Sequence, residues 1–137
     1  HVGGARLIDL LMAPTRIYVK TLLSLAAAMD VHGLAHITGG GLTDNLPRIL
    51  PERTAARIER GTWPVLPVFS VMQRIGGVAD AEMYRAFNMG VGMVAVVSSG
   101  TADRAVDLLT GRGVPAWIVG ELVEGDGSVE LHGTHRR

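Results

Sequence analysis

His36-Ile37-Thr38-Gly39-Gly40-Gly41-Leu42-Thr43-Asp44-Asn45-Leu46-Pro47-Arg48 is the stretch on which the reading of this chain turns. An apolar, strand-like run over 34–37 feeds three consecutive glycines. Leu42, Leu46, Ile49 and Leu50 then fall on one face of a short helical pattern. Glycine has no Cβ and reaches positive φ at little steric cost, so three in a row let backbone amides point together at an anion. A helix start adds unpaired N–H groups and the positive end of its dipole. Strand, glycine loop and helix start in this order predict a phosphate cradle. The plainer reading is a tight turn, for which one glycine would suffice.

Working outward, the 137 residues suit one domain spanning 1–137 with a real core. Apolar residues make up 47% and aromatics only 4%, so that core is aliphatic. Thirteen basic residues balance thirteen acidic ones, which argues against a nucleic-acid partner. No apolar run reaches the length of a membrane span. Without cysteine there are no disulfides and no thiolate metal sites, a composition that fits a cytoplasmic protein. The first residue is His1 rather than Met, which suggests a piece of something longer.

Upstream of the loop, 1–5 is unpatterned and 7–12 is apolar. Pro14-Thr15 reads as a helix start with Thr15 as N-cap. Leu22, Leu25, Ala26 and Met29 give the apolar face, and His32-Gly33 the stop. Arg16 and Lys20 read as a solvated face of that helix. Downstream, 55–59 alternates like a strand, and Val68, Val71, Met72 and Ile75 mark a helix stopped by Gly76-Gly77. A short helix over 80–85 follows, with Asp80 as cap. The valine-rich run 90–97 suits a strand buried on both faces. Ala102, Ala105, Val106 and Leu109 line another helix, and 90–119 reads as a strand–helix–strand unit. A strand over 116–123, a turn at Gly125-Asp126-Gly127 and a hairpin partner over 128–131 complete the pattern, with 134–137 a loose tail. The fold class is α/β, a mixed sheet with helices packed on it.

No residue set spells out a catalytic centre. Ser24, Ser70, Ser98, Ser99 and Ser128 have no nearby His-Asp pattern, and the five histidines include no i, i+4 pair, so no metal site is expected. His36 either faces a ligand or is hydrogen-bonded within the core. Asp44 and Asn45 suit helix capping, but Asn45 and Arg48 lie one turn apart and both reach an anion held by the glycines. Asn88-Met89-Gly90-Val91-Gly92 is a second candidate. Its glycines are poor strand formers and imply either a close approach or a β-bulge. Trp63 and Phe87 read as core or lid residues.

Three stretches resemble the aminoimidazole ribonucleotide synthetases, also called phosphoribosylformylglycinamidine cyclo-ligases. They are Pro14-Thr15-Arg16-Ile17-Tyr18-Val19-Lys20, the glycine stretch continued through Pro51, and Met83-Tyr84-Arg85-Ala86-Phe87-Asn88-Met89-Gly90-Val91-Gly92-Met93. The resemblance implies the C-terminal domain of that superfamily, truncated at its N-terminus. A first domain that binds nucleotide and forms a homodimer would be absent from the 137 residues. It implies ATP-dependent closure of formylglycinamidine ribonucleotide to aminoimidazole ribonucleotide in de novo purine biosynthesis. Mg2+ would accompany ATP, with its ligands mainly on the other domain. His36, Thr38, Gly39, Gly40, Gly41, Asn45, Arg48, Asn88 and Gly90 are implied as substrate or phosphate contacts, with no catalytic residue assigned. The isolated domain would be inactive and would expose apolar surface that a neighbour covers. The alternatives are a related ATP-dependent synthetase of the same superfamily, which should not show all three motifs, and a stand-alone phosphate-binding module without activity.

Overall fold

The computed structural model describes residues 1–135. Helices α1 (Leu7–Leu11) and α2 (Val19–Ala28) lead into β1 (Val31–His36). Helix α3 (Gly41–Asn45) runs on into a 3₁₀ turn, Leu46–Ile49. Then come β2 (Thr54–Arg60), α4 (Pro67–Gly76), α5 (Asp80–Ala86) and β3 (Met93–Val97). The 3₁₀ turn Ser99–Thr101, α6 (Ala102–Gly111), β4 (Gly120–Glu124) and β5 (Val129–Gly133) complete the order. No helix among the described residues is long and apolar enough to cross a membrane.

The α/β class stands, but the strands form two sheets. β1 and β3 make an antiparallel pair, and a mixed sheet has the order β4-β2-β5, with β2 antiparallel to β4 and parallel to β5. The expected hairpin of β4 and β5 therefore does not form. The turn between them passes over the start of β2 instead, where Gly125 and Gly127 amides donate to the Arg53 and Thr54 carbonyls. The strand–helix–strand unit over 90–119 is likewise corrected, because β3 and β4 belong to different sheets. Register in the three-stranded sheet is marked by Arg57. It stands opposite both Glu121 and Glu130, with its guanidinium 3.7 and 3.6 Å from their carboxylates.

Alternation on β2 places Ala56 and Ile58 inward, where they join Ile37, Leu42, Leu46 and Met83 in an aliphatic core. This core supports the glycine loop from below. β3 is only half buried, not covered on both faces as its composition suggests. It borders an open apolar cleft of about 1080 Å³ between the sheets, to which Leu25, Ile58, Ala105 and Val119 also contribute.

Helix boundaries moved where tertiary partners outcompeted local pattern. α2 begins at Val19 with Tyr18, not Thr15, at the N-cap, and ends at Ala28 because Val31 and the residues after it pair with β3. Gly33 is a strand residue rather than a stop, because it pairs with Val96 of β3; a Cβ there would lie 3.1 Å from Ile49 Cδ1. Ala79 occupies the N-cap of α5, and Asp80 instead pairs with Arg60 at 2.9 Å. Of the tail expected over 134–137, His135 is packed against Trp63 and Tyr84, while 136 and 137 lie outside the described residues.

Two glycine substitutions check this packing. A Cβ at Gly120 would run into the Arg57 carbonyl of the paired strand, so Gly120→Ala is expected to lose about 2–3 kcal/mol. Gly111 closes α6 in open space, so Gly111→Ala is expected to gain up to about 1 kcal/mol. Equilibrium urea unfolding measures both, and a neutral Gly120→Ala would contradict the β2–β4 register.

Candidate functional site

The antiparallel pairing of β1 with β3 brings the two glycine-bearing loops together. His36 at the end of β1 stands opposite Met93 at the start of β3, and the Ile37 amide donates to the Gly92 carbonyl at 3.0 Å. Loops 38–41 and 88–92 therefore leave the same end of the pair side by side.

In the first loop, Gly40 (φ 97°) and Gly41 (φ 59°) are left-handed. The Gly41 amide turns back to the Thr38 carbonyl at 3.0 Å. Among the described residues the Gly39 and Gly40 amides donate to no protein acceptor. Gly41 lies flush on the last turn of α5, where a Cβ would collide with the Tyr84 carbonyl and come within 2.9 Å of that of Phe87. α3 is only five residues long and sums few peptide dipoles, so the loop amides, more than the helix, are what this end offers an anion.

The predicted residues take different places. Thr38 and Gly39 are exposed on the loop, His36 is exposed beside it, and Arg48 is exposed on the 3₁₀ turn. Asn45 is buried, and its side-chain amide is committed to the loop. Nδ2 donates to the Gly41 carbonyl at 2.7 Å, with longer contacts to Gly39 (3.2 Å) and Thr38 (3.4 Å). It braces the loop from beneath rather than projecting from its outer side. Asp44 lies beside the glycines, its Oδ2 3.0 Å from where a Gly40 Cβ would stand. No three His, Asp or Glu side chains converge on a metal position among the described residues.

In the second loop, Asn88 Oδ1 accepts from the Gly90 amide at 3.0 Å, and the Val91 amide donates to the Asn88 carbonyl at 2.9 Å. This is an Asx turn ahead of the strand, not a bulge within it. Met89 sits at φ 49°, unusual for a side-chain-bearing residue. It is held there because buried Trp63 donates its indole N–H to the Met89 carbonyl at 3.0 Å. Trp63 is thus a core residue that sets a loop. Phe87 packs at a tilt on Phe69 with ring centroids 5.8 Å apart.

Tyr18, which the sequence marks only as part of the Pro14–Lys20 stretch, takes a specific place in the fold. Its ring lies edge-on to His36, centroids 6.2 Å apart, and its hydroxyl occupies the space a Cβ at Gly92 would need. Glycine at 92 was the available signal, because a strand entrance without a side chain invites a neighbour to lie across it.

The chain matches the family described as AIR synthase related protein, C-terminal domain, over residues 2–132. It is 52% identical over 121 residues to the phosphoribosylformylglycinamidine cyclo-ligase of Cupriavidus pinatubonensis, covering 88% of this chain and 35% of that protein. It is 46% identical over 128 residues to the cyclo-ligase of Thermoanaerobacter sp., covering 93% and 38%, and 48% identical over 122 residues to that of Bifidobacterium longum, covering 89% and 35%. The chain spans about a third of the length of the curated relatives it matches.

Removing the Asn45 carboxamide takes away the buried side-chain donor to the Gly41 carbonyl and the longer contacts to Gly39 and Thr38. Asn45→Ala is expected to cost about 2–3 kcal/mol in thermal or urea unfolding, and Asn45→Asp at least as much, because an acceptor would then face acceptors. A loss under about 0.5 kcal/mol would mean that the loop does not depend on this side chain.

Proposed function

Because the chain belongs to the family of AIR synthase related C-terminal domains, we propose that it is the C-terminal domain of a cyclo-ligase and holds the phosphate ester of that enzyme's ribonucleotide substrate. The observation that carries this reading is the convergence of loops 38–41 and 88–92 at one end of the β1–β3 pair. Gly39 and Gly40 bring two uncommitted amides to this end, exposed Arg48 lies on the 3₁₀ turn that follows, and His36, Thr38, Asn88 and Gly90 border the loops. The reaction is ATP-dependent ring closure of formylglycinamidine ribonucleotide to aminoimidazole ribonucleotide in purine biosynthesis. ATP activates the formyl oxygen, and the amidine nitrogen closes the ring with loss of phosphate. Such chemistry depends on positioning and on neutralising phosphate charge, which backbone amides and an arginine supply without a nucleophile. The nucleotide, Mg2+ and dimer contacts are assigned to a further domain of the intact enzyme, and the isolated domain is expected to be inactive.

Asp44 beside Gly40 favours a second reading, a plain tight turn with a carboxylate at its edge that would repel an anion. The two readings differ at Gly39, which has no positive φ and open space where a Cβ would stand. Gly39→Ala leaves the fold untouched but crowds an anion seated on the amides. Gly40→Val combines that effect with strain, because a Cβ at Gly40 would lie 2.7 Å from Asp44 Cβ. In the intact enzyme, calorimetric titration with formylglycinamidine ribonucleotide should show Gly39→Ala weakening binding about tenfold or more, equivalent to 1.4 kcal/mol. Gly111→Ala should leave it unchanged. Full affinity in Gly39→Ala would make the glycines a turn and no more.

A further inference from the structure

The segment after β5 carries a histidine that the proposed reaction does not use. His135 lies face-to-face with Tyr84 (centroids 5.8 Å apart, planes 5° apart) and edge-on to Trp63 (4.6 Å, 75°). Its Nδ1 accepts the Gly61 amide at 3.1 Å. Glycine at 61 (φ 96°) lets the segment lie this close, since a Cβ there would stand 2.9 Å from the Thr134 carbonyl. A nitrogen that accepts a hydrogen bond carries no proton, so the neutral ring bears its hydrogen on Nε2, which is buried without a partner.

We propose that His135 is a pH-sensitive clasp, fastened in its neutral form, that pins the segment after β5 onto Trp63 and Tyr84 and through them steadies both candidate loops. Trp63 reaches the second loop through its bond to the Met89 carbonyl, and Tyr84 reaches the first through the carbonyl on which Gly41 sits. Protonation of Nδ1 would set an N–H against the Gly61 N–H and place a cation near Arg60, whose guanidinium stands 5.3 Å over the Tyr84 ring. Among the described residues, the charged and titratable groups facing the ring are Arg60 from β2 and Asp80 and Tyr84 from α5. Asp80 favours the charged ring, but its carboxylate is engaged by Arg60 at 2.9 Å. Burial of the Tyr84 hydroxyl raises its pKa, which keeps it uncharged.

Burial first, and Arg60 second, hold the His135 pKa below its ordinary value. Above about pH 6.5 the ring is neutral whether clasped or released, and the clasp has its full strength. Below that pH the released ring takes up a proton that the clasped ring refuses. The clasp then weakens by up to about tenfold per pH unit until the clasped pKa is reached.

NMR of the ligand-free 137-residue chain tests this. The clasp draws its functional meaning from the cradle reading, but the measurement needs no phosphate ester, so the two can fail separately. At about pH 7.5 the His135 ring should be neutral with its hydrogen on Nε2. On acidification the Gly61 amide, the Trp63 indole N–H and the Gly41 amide should shift together, with a midpoint below about 6.5. His135→Phe keeps an aromatic ring but neither accepts nor titrates, and the shared transition should vanish in it. A charged ring or an Nδ1–H tautomer at about pH 7.5 would overturn the proposal in the unaltered chain. So would Gly41 and Trp63 signals that stay still while His135 titrates, or a shared transition that survives in His135→Phe.

Discussion

The seat of Gly41 on the carbonyls of Tyr84 and Phe87 is the constraint on which the arrangement of the two glycine loops depends. Only a residue without a Cβ fits, and only one at ease with positive φ adopts the required backbone. That contact joins the loop after β1 to the last turn of α5, two segments far apart in sequence. The chain then runs from α5 into Asn88 and the second loop. Asn45 completes the arrangement by bonding loop carbonyls that point inward. The triple glycine thus divides its work: Gly41 packs, Gly40 turns, and Gly39 leaves space.

Much of the fold was legible in local pattern. The 3.6-residue repeat located α4 and α6, alternation located β2, and the glycine stretch located the loop, because each rests on a periodicity its own residues carry. The motifs singled out both glycine loops, and the β1–β3 pairing brings those two loops to one end of the molecule. The roles of individual residues were not legible. Asn45 and Arg48 are equivalent by spacing, yet one is buried beneath the loop and the other exposed. Spacing along a helix says which residues share a face, not which way the loop before it folds.

What stayed hidden was long-range pairing. A turn flanked by two strand-like runs reads as a hairpin, and nothing within 116–131 announces that β2 lies between the two strands. The register partners Arg57, Glu121 and Glu130 read as ordinary surface charges until the sheet is assembled. His135 was equally silent, because a lone histidine in a short tail carries no periodic signal. Its partners Trp63 and Tyr84 come from distant parts of the chain. The early end of α2 has the same origin, since β3 claims Val31 and the residues after it for a strand.

The position of β2 between β4 and β5 has a kinetic side. β4 and β5 are joined by a short turn and would meet first, within microseconds, as a hairpin. In the native sheet that hairpin must not exist, because β2, half a chain length away from β5, has to occupy the gap between them. Folding therefore either delays the C-terminal strands until β2 is in place or undoes a local pairing to admit it. Both routes raise the barrier in the way expected for non-local strand order. Pulsed amide exchange would see protection of β4 and β5 arrive together with that of β2, not before it. A protein whose local turn signal favours a pairing its native state forbids is slowed at that pairing.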